Sequence, residues 1–506
     1  MNRKFQKDSE STSEYILPDY LGDVKKLLLT TARVIPSGQF ESEGETECAG
    51  IVAYDVVYLD SENKLSAANF TSDYDFNFTK DSESYIDSYV TSQIANYGVR
   101  LTGPRRMIAK ANVQSEVYLM EKWEPAVSGT AFNLGENPEK TTETVSIESA
   151  LKGEAVEREY AEEIASLESV SADEIEVISS SAYVRISESV PVEDGVNIKG
   201  ELIVTAIVRT PDTSVFAIRR EIPFDETVSI SGVVSDMSAI SDVVVSSVSI
   251  GINEGENSTE LVANVITDIS AIAFSNESVE LVTDAYLKTK DTIAEYENLN
   301  FSSFMASETK SGNVNLKIPI SELENKNLKE IIALNQDFRS LSFESDGKTS
   351  KFSGEVSFSG VACEISEEGE SYICNLKFSV PVDINVNISC QNGEKTKLSA
   401  KISPAGCEWD IDGENLNIKL WYTLTYTTTE EENCKYLSSC NVTGDAEYKK
   451  SLSCINVYYP DENESLFEIA KKFHTSVKDI AADNMISEAA AQGIPLKAGF
   501  KKLIIR

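Results

Sequence analysis

This chain of 506 residues contains a single histidine, His474, and only three tryptophans and six methionines. One imidazole leaves a Ser-His-Asp or Cys-His arrangement with only His474 to draw on. That residue follows Phe473 at the end of a short C-terminal helical segment, a surface position. There is no Gly-x-x-x-x-Gly-Lys-Ser/Thr loop and no Gly-x-Gly-x-x-Gly after a strand. No catalytic residue is assigned, no cofactor is called for, and the chain reads as a non-enzyme. Basic residues are also scarce, 45 against 83 acidic, for a formal charge of -38. Nucleic acid is thereby excluded as a partner, because phosphate binding needs a cationic field. A basic protein surface stays compatible. No apolar run approaches the roughly 18 residues of a membrane span. Residues 1–10 carry positive charge without an apolar stretch behind it, so a secretory signal is not expected and a cytoplasmic location is. None of the eight cysteines stands in a Cys-x-x-Cys pair, and none lies at ligand spacing from His474. No metal site is expected. Seven cysteines fall after residue 360, several inside strand-like runs where they pack as small apolar residues.

What is present is repetition. Gly50 leads the apolar run Ile51–Leu59, Gly200 leads Glu201–Val208, and Gly354 leads Glu355–Ala362. The glycines are 150 and 154 residues apart. A polar turn follows each run, at 60–63, 211–214 and 367–370, and then a second strand ending near Phe76, Phe224 and Val382. Two strands joined by a short polar turn predict a β-hairpin in each repeat. Later strands begin at Ala111, Ala263 and Leu416. The period is too long for a solenoid and fits duplicated domains. Each repeat is expected to be an antiparallel β domain, a sandwich or an open barrel.

The C-terminal segment has a different pattern. Residues 455–458 alternate like a strand. Leu466, Ile469, Ala470 and Phe473 then fall at i, i+3, i+4 and i+7, one face of a helix. Ser476 and Asp479 have the spacing of a capping box opening a second helix. Leu503–Ile505 is a closing strand. Leu466, Ile469, Ile480 and Ile504 are expected in its core.

Asn463-Glu464-Ser465-Leu466, Ile469-Ala470, Asn484 and Gly499 stand at the positions of a LysM module, which this segment resembles. The resemblance implies a small βααβ binding domain, with a groove between the loop after the first strand and the loop before the last. Carried over to this chain, groove residues are Asp461, Glu462, Asn463, Glu464, Ser465, Asn484, Gly493, Ile494 and Pro495. The ligand is left open between a glycan and a protein. Leu17–Leu28 and Asn96–Arg106 look like the SPOCS-type domain of spore-coat-associated proteins. Repeats of that domain followed by one LysM module are similar to the SipL family of coat morphogenetic proteins. That resemblance implies a scaffold in the mother-cell cytoplasm, gathered at the forespore surface in the spore coat. Its LysM module would bind a coat-basement ATPase of the SpoIVA type. The alternative is a wall-associated protein whose module binds peptidoglycan or N-acetylglucosamine polymers. Arg100, Arg105 and Arg106 form the main basic cluster. They fit either contact with an acidic partner or charges balancing nearby carboxylates.

The expected fold class is therefore mainly β, with three repeated antiparallel β domains and a small α+β module. The expected divisions are a first SPOCS-like repeat with its N-terminal segment at 1–125 and an acidic linker or helix at 126–170. A second repeat follows at 171–290 and a third at 291–430. A linker at 431–452 then frees the module at 453–506 to reach a partner on its own.

Overall fold

The computed structural model describes residues 2–80, 84–122, 137–168, 170–212, 214–255, 258–346, 349–366, 368–388, 395–445, 455–461, 464–486 and 502–505. It is mainly β, and the ladders between its described strands are antiparallel. Two units are distinguished by their internal packing. The first comprises 1–122, 149–275 and 304–430, and the second 123–148, 276–303 and 431–506.

The first unit holds three copies of one six-stranded topology. In the first copy, β1 (Asn2–Ile16), β6 (Arg106–Glu121) and β5 (Tyr85–Gly103) form one sheet in that spatial order. β2 (Val24–Ser42), β3 (Glu45–Asp60) and β4 (Leu65–Thr79) form the other. After β7 (Glu139–Lys152), the second copy uses β8 (Val156–Glu168), β13 (Ser258–Tyr286) and β12 (Ser238–Glu254) for the first sheet. Its other sheet is β9 (Glu176–Val192), β10 (Gly195–Arg209) and β11 (Val215–Ser229). The third copy uses β14 (Lys290–Pro319), β19 (Asn415–Asp445) and β18 (Thr396–Asp412), then β15 (Leu328–Ser345), β16 (Ser350–Ile365) and β17 (Ser371–Val386). Strand order is thus 1-6-5 and 2-3-4 three times over. In each copy the two sheets share one apolar core, which makes it a sandwich. In the first copy the edges also touch, where the Ser11 hydroxyl on β1 donates to the Asp73 carbonyl on β4 at 2.8 Å.

The hairpins expected after Gly50, Gly200 and Gly354 are β3–β4, β10–β11 and β16–β17. Each third strand is central in its sheet, so its run is apolar on both faces; Val56, Val57 and Tyr58 are all buried. The leading glycines have a steric cause. Beside each, strand 2 carries a β-bulge, between Pro36 and Gly38, at Glu188/Ile186, and between Asp337 and Ser340. The bulge presses a strand-2 carbonyl onto the glycine. A Cβ on Gly50 would lie 2.6 Å from the Ile35 oxygen, on Gly200 2.3 Å from that of Arg185, and on Gly354 2.3 Å from that of Ser340. No side chain fits at these distances.

A second bulge in each strand 2 skips Leu28, Ile178 and Ile332 in the ladder to strand 3. A bulge re-aims the side chain it displaces. These residues are again 150 and 154 apart, and all three join one apolar cluster with Val57, Ile207 and Val361. That cluster draws on the 2-3-4 sheets of all three copies, so the copies pack about a common pseudo-threefold centre. Polar bridges reinforce it. Arg209 donates to the Leu65 carbonyl at 2.5 Å, Arg219 to that of Cys407 at 3.2 Å, and Arg339 to that of Tyr97 at 3.3 Å. The guanidinium of Arg185 pairs with Glu201 at 2.8 Å and lies 3.9 Å over the Trp421 ring.

The segment 126–170 is not a helical linker where it is described. Residues 154–167, inside the span expected to be an acidic linker or helix, lie largely in β8, the first strand of the second copy. Its ladder to β13 shifts register between Leu261 and Val262. Ile164 is the bulged residue, and past it the inward set changes parity, from Val156, Arg158 and Tyr160 to Ala165 and Leu167. Likewise 431–445 is not linker but the far part of β19.

The second unit contains the end of β13, the start of β14 and the end of β19. The end of β13 pairs with β7, where Thr141 and Thr283 hydroxyls meet at 3.0 Å. The start of β14 runs beside the end of β19, where Ser438 donates to the Glu295 carbonyl and Thr443 to that of Asp291, both at 3.2 Å. Val282, Ala285 and Leu287 pack with Leu437 and Cys440 between them. The C-terminal elements are β20 (Asn456–Tyr458), α1 (Leu466–Lys472), α2 (Val477–Asp483) and β21 (Leu503–Ile505). No helix among the described residues is long and apolar enough to cross a membrane. No group of three or more His, Cys, Asp or Glu among them is placed to hold a metal ion.

Candidate docking module

The helices start where the sequence places them. The Ser465 hydroxyl accepts from the Glu468 N–H at 3.2 Å, while the Glu468 carboxylate accepts from the Ser465 N–H at 2.7 Å, a reciprocal capping box. At α2, Ser476 accepts from the Asp479 N–H at 3.0 Å, but the shorter Asp479 carboxylate takes the Ser476 hydroxyl instead, at 2.6 Å. Both helices end in Schellman turns. Thr475 N–H reaches the Ala470 carbonyl and Ile486 N–H that of Ala481. The left-handed position after each cap is held by His474 (φ 51°) and Met485 (φ 55°) rather than glycine.

Leu466, Phe467, Ile469, Ala470, Ile480, Ala481, Leu503 and Ile505 are buried together. Ile504, expected in this core, is only half-buried; β21 turns Leu503 and Ile505 inward, and Ile504 sits beside the exposed Val457. Period-2 alternation admits either face, and the apolar triplet hid which one is used.

The module is seated rather than loose. Tyr286, at the end of β13, is 2% exposed and belongs to the module's own core. Its ring meets Phe467 edge-to-face at 5.1 Å, and its hydroxyl donates to the Thr475 carbonyl at 2.7 Å. Burial, the first cause, and the nearby Glu139, Asp479 and Asp284 push this phenol far above its usual pKa. The Lys471 ammonium bridges both Asp284 oxygens at 2.7 Å. The His474 ring lies 3.3 Å from both the Leu287 carbonyl and the Asp291 carboxylate. This corrects the expectation of a module moving freely on a linker at 431–452. No motif marks Tyr286 or Asp284, which lie far from the module in sequence.

Of the groove residues carried over by resemblance, Glu462, Asn463, Gly493, Ile494 and Pro495 lie outside the described residues. Asp461 is exposed on the first loop. Glu464 is engaged within the module, accepting from the Tyr458 hydroxyl at 2.9 and 2.8 Å. Ser465 is occupied by its cap. Asn484 clamps β21 to α2. Its amide donates to the Ile504 and Ile480 carbonyls at 2.7 and 2.8 Å and accepts from the Ile504 N–H at 2.7 Å.

The basic cluster separates into different roles. Arg105 clamps the loop between β1 and β2, donating to the carbonyls of Leu21, Leu17 and Pro18 at 3.0, 3.2 and 2.6 Å. It also pairs with Asp23 at 2.8 Å. Arg106 pairs with Glu14 at 3.0 Å on the surface, and Arg100 is exposed. Arg105 and Arg106 thus each pair with a nearby carboxylate.

No curated protein and no solved structure matches the chain. Residues 174–253, which run from the turn before β9 through β12 of the second copy, match the family model described as SipL, SPOCS domain. The match falls on the second copy rather than on the first-copy segments at 17–28 and 96–106 where the resemblance is read in the sequence. In that stretch the chain is similar to the SPOCS domain of SipL, which points to a sporulation-related protein.

Proposed function

We propose that the protein is a non-catalytic scaffold of endospore coat assembly, acting at the forespore surface from the mother-cell cytoplasm. Its C-terminal module is a LysM domain that docks to a coat-basement ATPase of the SpoIVA type. The observation that carries this reading is the similarity of 174–253 to the SipL SPOCS domain. The same six-strand topology on either side of the matched copy supports extending that likeness to all three repeats. The order strand, helix, helix, strand supports the LysM reading. Asp461 is an exposed acidic group open to a basic partner, and Glu464, Ser465 and Asn484 shape the loops rather than contact the ligand. The alternative ligand is a peptidoglycan or N-acetylglucosamine polymer.

The test is co-sedimentation of the full chain with purified peptidoglycan, beside capture by a purified SpoIVA-type ATPase. Capture by the ATPase that is weakened by Asp461→Lys supports docking. Retention on peptidoglycan with no capture by the ATPase would sink the scaffold reading and leave the wall-binding one.

A further inference from the structure

The chain's single imidazole, His474, sits in the seat of the C-terminal module. It holds the left-handed position that closes α1, at φ 51°, where glycine is the usual residue. Glycine would fit that backbone more easily, but it would make neither of the contacts the ring makes.

Both ring nitrogens face acceptors. Nδ1 lies 3.3 Å from the Leu287 carbonyl, in the turn between β13 and β14. Nε2 lies 3.3 Å from the Asp291 carboxylate at the start of β14. A carbonyl and an ionised carboxylate accept hydrogen bonds and donate none. A neutral imidazole has one N–H and one lone pair, so it satisfies one of these contacts and turns a lone pair on the other. Only the doubly protonated ring donates to both. The side chain is 22% exposed, so water replaces a lost contact only in part.

The other charged groups at the seat do not share this dependence. Lys471 of α1 is held by both oxygens of Asp284 from β13, and Asp479 takes the Ser476 hydroxyl at the head of α2. Glu139 of β7 pairs with Lys288 at 3.5 Å, and Lys290 adjoins Asp291 on β14. Burial, then the nearby carboxylates, pushes the Tyr286 phenol far up, and burial raises the Cys440 thiol of β19. Histidine is the one side chain whose ordinary change of charge falls between about pH 5 and 8.

We propose that His474 is a pH-sensitive latch on the C-terminal module. The imidazolium pins the turn between α1 and α2 to the turn between β13 and β14. Loss of one ring proton as pH rises toward about 8 gives up one of the two contacts and loosens the seat. The sign follows from the count of donors. Seating favours the protonated ring, so the seat is firmest at mildly acid pH and weakens as pH rises. The latch is local: Tyr286 and the Lys471–Asp284 pair remain at both ends of the range, so the seat opens more often while the sandwich strands stay folded. It acts whatever the module binds.

The experiment is segment-resolved hydrogen exchange of the full chain at about pH 5.5 and about pH 8, corrected for the intrinsic pH dependence of exchange. The opening constant of α1 should rise about five- to tenfold across that range, the worth of one charge-assisted contact discounted for partial exposure. Protection in β3, β10 and β16 should not change. His474→Gln, uncharged throughout, should show no rise. Asp291→Asn puts opposite Nε2 a carboxamide that accepts or donates as the ring requires, so its rise should shrink to less than about twofold. Should His474→Gln leave α1 unprotected at both pH values, Asp291→Asn decides. An opening constant that is flat or falls with pH, or a full rise kept by either variant, would overturn the proposal.

Discussion

Tyr286 and Phe467 meet edge-to-face at 5.1 Å, so the apolar core of the C-terminal module is completed by a side chain from the end of a sandwich strand. Removing the ring by Tyr286→Ala should cost the module about 3–5 kcal/mol, the range for deleting a large buried aromatic. Hydrogen exchange resolved by segment is the measurement. Protection should fall across α1 and α2 and persist in β3, β10 and β16. Unchanged protection of both helices would mean the seat contributes little.

Arginines 105 and 106 are neighbours in sequence and should differ in effect. Arg105→Ala frees three carbonyls of the Leu17–Asp23 loop and should cost about 1–2 kcal/mol, a figure discounted because the side chain is one-third exposed. Arg106→Ala breaks an exposed pair with Glu14 and should cost less than about 0.5 kcal/mol. Urea midpoints of the two variants make the comparison, and equal shifts would refute the clamp.

Gly200→Ala places a methyl group 2.3 Å from the Arg185 carbonyl oxygen and 2.7 Å from the Phe224 ring. The backbone of two strands must then move, at a cost of about 2–4 kcal/mol. Met485→Gly should act in the opposite sense. Met485 is 96% exposed at φ 55°, and glycine there relieves left-handed strain for a gain of about 0.5 kcal/mol in module stability.

Alkaline pH should unfold the protein progressively. Burial pushes the thiol of Cys407 from 9.0 up to about 12 and that of Cys48 to about 11. Burial likewise pushes the phenols of Tyr58 and Tyr97 to about 12. An acid whose folded pKa lies above its unfolded value contributes stability that is complete below the unfolded pKa. That stability is lost as pH rises through the folded pKa. Urea midpoints should therefore be flat to about pH 8 and fall between about pH 9 and 12. A midpoint that rises across that window would contradict the burial of these groups.

Much of the repeat architecture was legible because its cause is local and periodic. Gly50, Gly200 and Gly354 are forced by a bulge that recurs in every copy, so they mark the period directly. Central strands read clearly because both of their faces are apolar. The first strand of each copy did not, because an edge strand needs only half its residues buried. Acidic β8 then hid even that half behind a register shift at Ile164. In the candidate site, the cap of the second helix was visible as Ser476 because capping chemistry spans three residues. The role of Asn484 depends on Ile504 across a tertiary contact, and that of Tyr286 on strand ends that overrun their sandwich. Sequence spacing carries neither.

The packing of three sandwiches about Leu28, Ile178 and Ile332 has a consequence for how the protein behaves on dilution. Three separate chains meeting through such a cluster would dissociate as their concentration fell. Here the partners are tethered, and each meets the others at an effective concentration set by its connecting segment, in the millimolar range for short links. The ring of three should hold together at any concentration of the protein, and its unfolding should not depend on how much of the chain a cell contains.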